Sequence, residues 1–432
     1  MIEAAIPRRP ATATREGVHH AWIVAGVASL AMLAASAAAG VASILMLPLQ
    51  REFGWDIGAV SSAVSARWLL FGVAGLLAAP LIDACGLRRV VLSALALIAA
   101  GLLASLAMTR TWHVILLWGV LVGTGSGLLS VTLGVMVATR WFSERRGLVI
   151  GALGGAATTG QMIMLPPLAA LVETCGWRGC ILAICGLVVL AAAAVSALVP
   201  ERPEDVGLQP FGTRANPPAT AGSAPLRDVA STFRETSRSG VFWSLLCTFA
   251  VCGASTGGLI QAHLVPLCAD YAVTPAQATA VLALIGLLAF AGTSISGWLS
   301  DRFDAGWLLF WFYGLRGLSL VALSFSEISF AGLSLFAVLY GLDWTATVPP
   351  TARLVAARFG LQRASLVFGW VFTGHQLGGA VAAFGAGTAR IGLGSYLPAL
   401  LLTGSLCLMA SAAILFLSTR LGPAAAEAND GP

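Results

Sequence analysis

Apolar runs of twenty residues and more recur along the whole chain, separated by short stretches that hold its charges. About twelve can be counted, near 21–48, 58–82, 89–108, 112–139, 147–171, 177–199, 240–268, 276–300, 305–325, 328–352, 364–389 and 395–419. Each is long enough to cross a hydrocarbon core of about 30 Å as an α-helix. A transmembrane β-barrel would instead need strands of about ten residues alternating polar and apolar. Only 10% of residues are charged, against roughly 25% in a soluble domain, so the chain lacks the polar surface to cover a globule in water. The 49 glycines lie mostly inside the runs, where small residues let membrane helices approach closely. The expected fold class is all-α integral membrane.

The 24 basic residues are all arginine. Placing both termini in the cytoplasm puts 18 of them there, among them Arg8, Arg9, Arg15, Arg88, Arg89, Arg140, Arg145, Arg146, Arg353, Arg358 and Arg363. Arg51, Arg110, Arg178 and Arg390 fall on the other side, and two more, Arg67 and Arg316, lie within runs. That bias predicts a multi-pass protein of the cell inner membrane with cytoplasmic termini. The net charge of +5 is then a topology signal and gives no reason to expect nucleic acid. The first run is too long for a signal-peptide core and reads as an uncleaved helix. Of the eight cysteines, Cys175 and Cys180 are spaced so that they either pair near the outer face or serve, like the rest, as small packing residues. No Cys/His spacing fits zinc, and no metal or cofactor is expected.

Residues 200–239 break the pattern with proline, charge and small residues, which predicts a cytoplasmic linker. The domains are then an N-terminal bundle (1–199), the linker (200–239), a C-terminal bundle (240–420) and a cytoplasmic tail (421–432). A shift of 218 residues superposes Pro48 on Pro266, Asp83 on Asp301 and Arg140 on Arg358. A repeat of two halves places a substrate site near the bilayer midplane between them, with the halves rocking about it.

The loop after the second run reads "APLIDACGLRR", with Asp83, Gly86, Arg88 and Arg89, and its second copy "GWLSDRFD" holds Gly297, Asp301 and Arg302. Both resemble the signature loop of the major facilitator superfamily, in which Gly is followed four residues on by Asp and then by a basic residue and Gly-Arg-Arg. Ala79, Ala84 and Leu87 depart from it, and Asp304 stands where Gly is usual. The resemblance implies twelve transmembrane helices in two pseudo-symmetric six-helix bundles. It also implies a conformational latch at Asp83 and Arg88, repeated at Asp301 and Arg302; read alone, these charges only set topology at helix ends. "FGWDIGAVSSAVS", "RPEDVGLQPFG" and "WVFTGHQLGGA" are similar to the branch of monocarboxylate transporters and oxalate/formate exchangers. That branch implies small organic anions. Its usual span-eight arginine is missing here, as is the span-eleven lysine of some exchangers.

An ionisable group at the bilayer centre costs at least about 2.5–3.5 kcal/mol, so it normally faces a partner or a watery cavity. Arg67, Arg316, Asp343 and His375 lie deep in their runs, and His263 lies nearer the outer end of its own. Asp343 is the one deep carboxylate, and the next helix carries Arg316, so the two are expected to pair. Arg67 is then a surplus positive charge. It binds either the carboxylate of a substrate, which suits a planar guanidinium, or helix carbonyls and a polar group of the eleventh run. His375 and Gln376 sit beside Gly374, Gly378 and Gly379, which allow close approach to a neighbour, with the second run expected there. His375 reads as a carboxylate donor or as a packing histidine. His263, near Gln261, is placed to line an outer cavity, and Trp344 to shape the central one.

Proton coupling requires a titratable deep group, for which Asp343 and His375 are the candidates. The expected function is secondary active transport of a small organic anion by alternating access, coupled to protons or run as exchange, by a monomer in the bilayer. Efflux of drugs or neutral metabolites is the alternative, and a non-transporting sensor a second. No nucleotide loop or soluble domain supports an enzyme.

Overall fold

The computed structural model describes residues 19–212 and 226–421. Arg8, Arg9 and Arg15, the middle of the expected linker and the tail past 421 lie outside the described residues. The elements are α1 (His20–Phe53), α2 (Ile57–Cys85), α3 (Leu87–Ser105), α4 (Thr111–Trp141), α5 (Arg146–Leu198), α6 (Leu226–Thr236), α7 (Gly240–Ala269), α8 (Pro275–Ser300), α9 (Ala305–Phe325), α10 (Phe330–Phe359), α11 (Leu361–Leu393) and α12 (Leu397–Leu421). Among the described residues the architecture is all-helical, with one isolated bridge between Phe142 and Phe211.

Among the described residues ten helices are long and apolar enough to cross a membrane, where the sequence shows about twelve runs. Two features account for the difference. Helix α5 holds the fifth and sixth runs as two arms on either side of Gly176, whose backbone (φ 73, ψ 172) leaves the helical region where only glycine is at ease. Helix α11, the eleventh run, contains Arg363, His375, Gln376 and Arg390, which lower its mean hydropathy.

Helix starts follow local chemistry. Asp56 caps α2 through the Ala59 N–H (2.7 Å), and Thr274 with Gln277 forms a capping box on α8. Asp304 caps α9 through the Trp307 N–H (2.9 Å), which explains an aspartate at a position the resemblance would fill with glycine. His20 Nε2 donates to the Leu198 carbonyl (3.0 Å), so the start of α1 and the end of α5 share one end of the molecule, called the near end below.

The helices before the 200–239 stretch and those after it, called the N-terminal and C-terminal halves below, meet along a seam where α2 packs on α11, α5 on α8, and α1 on α7. Gly72 of α2 meets the Gln376 side chain there, and Gly286 of α8 meets Met162 of α5. Within the C-terminal half, α7 and α11 approach more closely still. A methyl group on Gly253 of α7 would overlap the His375 carbonyl of α11, and one on Gly378 would overlap the Ala250 carbonyl.

The stretch expected as a linker is more ordered than its composition suggested. At its start, Phe211 N donates to Trp141 O (2.8 Å) and Phe211 O accepts from Ser143 N (2.8 Å), with the Phe211 ring among His19, Trp22 and Phe142. Near its end, α6 forms because Val229, Thr232, Phe233 and Thr236 fall on one face at helical spacing. That face meets α11: Trp370 Nε1 donates to Val229 O (3.0 Å), Phe233 packs on Trp370, and Arg363 pairs with Glu235 (2.5 Å). All eight cysteines are free, Cys175 and Cys180 included.

Candidate functional site

The break in α10 organises the C-terminal half. Pro349 and Pro350 have no N–H, so the helix ends at Asp343 and restarts at Val348. The interruption frees carbonyls that a continuous helix would use. Ser296 of α8 takes the Ala346 carbonyl (2.5 Å). Arg316 of α9 takes two others, donating through Nη2 to Asp343 O (2.5 Å) and Trp344 O (3.2 Å). Its Nε donates to Asp343 Oδ2 (2.6 Å) and its Nη1 to the Cys252 sulfur of α7 (2.8 Å). Thr347 Oγ1 lies 3.3 Å from the same sulfur. Arg316 is 1% exposed, and each of its three nitrogens is engaged. The guanidinium therefore neutralises a carboxylate and caps the carbonyl end of a half-helix, where the dipole favours a cation. Asp343 Oδ1 keeps no partner.

Arg67 presents the opposite case. It lies in α2, where Gly123 of α4 packs directly on its backbone, and it is 5% exposed. Its Nε is buried without a hydrogen-bond partner, and among the described residues it joins no ion pair. The Trp68 ring lies 4.5 Å from the guanidinium carbon. Arg67 lines a cavity of ≈ 10 Å³, about the room one water needs, together with Gly40 and Ser43 of α1, Gln161 of α5, and Gln261 and Ala262 of α7. Both halves contribute to this lining. Gln161 Nε2 is also buried without a partner.

Gln161, Gln261 and Ser43 were missed by a reading that searched the runs for charges and histidines. Two signals were available. Glutamine is scarce inside the apolar runs, and Ser43 and Gln261 are 218 residues apart, the offset that also superposes Asp83 on Asp301.

The other expected residues divide. Gln376 of α11 is 2% exposed, with Oε1 unpartnered and its stem against Gly72 of α2. His375 lies between Phe249 (5.1 Å) and Phe372 (5.7 Å), 3.5 Å from Thr256 Oγ1, with Nδ1 unpartnered. The nearby glycines correct one expectation. Gly374 and Gly378 face Leu246 and Ala250 of α7 instead of the second run, because α7 backbone comes closer; Gly379 alone also reaches Trp68 of α2. His263 does not line the cavity. Its Nε2 donates to Ala383 O (2.9 Å) and its Nδ1 faces Tyr396 OH (3.3 Å), so both nitrogens are used within the half. Trp344 stacks edge-on to Tyr340, and its carbonyl is held by Arg316.

At the near end, Asp83 pairs with Arg140 at the end of α4 (2.5 Å) beside a pocket of ≈ 300 Å³ that Arg89, Glu201 and Arg202 also line. Arg88 turns to the Ser196 carbonyl, and its N–H donates to Glu201 Oε2 (3.2 Å). Gly86 (φ 96) sits against that same carboxylate, where a side chain would collide. The second copy is built differently. Arg302 stacks on Trp298 (4.0 Å), and Asp301 joins no ion pair among the described residues.

Comparison with known proteins adds an independent line. The model of the Major Facilitator Superfamily matches residues 27–383. The uncharacterized MFS-type transporter YcxA of Bacillus subtilis (strain 168) is 27% identical over 353 residues, 79% of this chain and 81% of its own. Monocarboxylate transporter 11 of Homo sapiens is 29% identical over 368 residues, 82% of this chain and 69% of its own. Monocarboxylate transporter 13 of Rattus norvegicus is 28% identical over 337 residues, 77% and 73% of the two chains.

Proposed function

The chain belongs to the Major Facilitator Superfamily, and we propose that this transporter moves a small organic anion, monocarboxylate-like, by secondary active transport with Arg67 as the anion's ligand. One observation carries the reading. A buried guanidinium lies at the seam between the halves with no carboxylate of its own, while the other deep arginine is fully engaged. An isolated buried charge is costly, and a planar fork of donors matches a carboxylate. The relatives named as monocarboxylate transporters support the same substrate class.

Counting the two arms of α5 separately and including α11 gives twelve crossings in two halves, 1–199 and 240–420. The arginine bias then places both termini in the cytoplasm, as for a protein of the inner membrane. In this frame the Asp83–Arg140 pair is a latch of the near end with Arg88 beside it, and Asp301 and Arg302 serve the second copy less tightly. Alternating access follows from rocking of the halves about the Arg67 cavity. Movement of the anion is driven by protons or by exchange. In the proton scheme Asp343 is the carrier, released when Arg316 shifts.

The test is uptake into proteoliposomes of a panel of labelled small carboxylates, comparing the wild type with Arg67→Gln at matched protein levels. The reading expects one or more carboxylates to be accumulated, and that uptake to be lost in the variant. Unchanged uptake of every anion in Arg67→Gln overturns it, and transport of neutral compounds alone favours efflux. Accumulation driven by a pH gradient that persists in Asp343→Asn removes Asp343 as proton carrier.

A further inference from the structure

The cavity around Arg67 is assembled asymmetrically. Helices α1, α2 and α5 of the N-terminal half supply Ala39, Gly40, Ala42, Ser43, Val64, Arg67 and Gln161, and the C-terminal half supplies Gln261 and Ala262 alone. Gln261 is therefore the one side chain with polar hydrogens that the second half brings to this cavity. It is 7% exposed, and no hydrogen bond holds its amide among the described residues.

Its position is set by unusual backbone. Residues Ala254–Gln261 form a π-helical segment, and Gln261 ends it. Such segments are rare and often occur at functional sites, because they alter the register in which side chains face a neighbour. Within this segment Gly257 packs on the Trp68 ring and Gly258 on α11, so α7 lies hard against both α2 and α11 just before Gln261 emerges. The repeat adds a second argument. Ser43 and Gln261 occupy equivalent places in α1 and α7, so the cavity lies where the two halves meet through related positions. Ser43 spends its hydroxyl on the Gly40 carbonyl (2.8 Å), so of this pair only Gln261 is left free to reach across.

We infer that Gln261 is the contact by which the C-terminal half grips an anion held on Arg67, so that occupancy of the site holds α7 against α1 and α2. Gln161, whose amide nitrogen is buried and unpartnered, supplies the matching contact from the N-terminal half. The ligand this arrangement recognises is a monoanion with acceptor lone pairs on two sides: one unpaired cation, flanked by two amides, one from each half. The assignment rests on the anion reading above, but its geometric core, the juxtaposition of Gln261 and Arg67, does not.

That core is tested without any substrate. Gln261→Glu places a tethered carboxylate in the cavity. Purified Gln261→Glu is expected to melt at a higher temperature than the wild type, and the gain is expected to vanish in the double variant with Arg67→Gln. Gln261→Glu that melts lower, fails to fold, or responds alike with and without Arg67 overturns the inference, since the carboxylate has then not met the guanidinium. Gln261→Leu keeps the volume and removes the amide. It is expected to weaken binding of the best small carboxylate about tenfold, the loss of one hydrogen bond to a charged group, and an unchanged Kd counts against the grip. If Arg67→Gln alone binds carboxylates as the wild type does, the anion reading falls, whatever Gln261→Glu does.

Discussion

Two buried arginines in this molecule live by different rules. Arg316 is 1% exposed and meets a carboxylate, two carbonyls and a thiol. Arg67 is 5% exposed and has no partner for its Nε. The first is explained by the protein around it: α10 is broken by Pro349 and Pro350, and the break creates the acceptors that Arg316 satisfies. The second is not explained by its own half. Burial alone thus does not identify a functional charge; what separates a strut from a ligand-binding group is whether the protein already supplies the counter-charge.

The largest effect should come from breaking the strut. Arg316→Gln leaves Asp343 uncompensated and a half-helix end uncapped, and should cost about 3–5 kcal/mol. It is measured as loss of monodisperse protein in detergent, with substantial recovery in Arg316→Met combined with Asp343→Leu. Wild-type stability in Arg316→Gln would erase the contrast between the two sites. Next in size, Arg67→Gln should lower anion uptake by roughly a hundredfold, corresponding to about 3 kcal/mol of charged hydrogen bonding. Its melting temperature should not fall. A fall as large as that of Arg316→Gln would make Arg67 a second strut.

His263→Phe sharpens the comparison from the side of packing. Because both ring nitrogens are bonded within the half, stability should drop by about 1–2 kcal/mol with the KM for substrate unchanged; a raised KM would return His263 to the site. The smallest effect is expected at the near end. Asp83→Asn removes a partly exposed pair with Arg140 and should cost about 0.5–1 kcal/mol. The balance between inward- and outward-facing states, followed by spin-label distances across the near end, should shift more than in Asp301→Asn, which has no ion pair to lose among the described residues.

Much of the site was legible because charge is scarce in this chain. With one carboxylate among the deep groups, the partner of Arg316 follows by elimination, and the surplus at Arg67 follows from the same count. Neutral polar residues were less legible. Gln161 and Gln261 carry no charge to force a partner, and nothing in "GLIQAHL" says which of Gln261 and His263 faces the seam. The structure decides it, because His263 is taken by Ala383 and Tyr396 and Gln261 is left for the cavity. The helix inside the linker was illegible for a similar reason. The linker's proline and charge content hid a short helix whose apolar face is satisfied only by Trp370 and its neighbours on α11.

The sequence by itself determined that the chain is a set of apolar helices in a membrane, where along it the arginines fall, and that Pro48, Asp83 and Arg140 recur 218 residues on. These follow from transfer free energies that act residue by residue, so they are written locally. Only the tertiary structure decided that Asp83 meets Arg140 while Arg88 turns to Ser196 and Glu201, that Gly374 and Gly378 receive α7, and that Gln261 shares a cavity with Arg67. Those outcomes depend on the rotation of each helix about its own axis. That rotation is fixed by close packing between helices far apart in the chain, which no single stretch of sequence records.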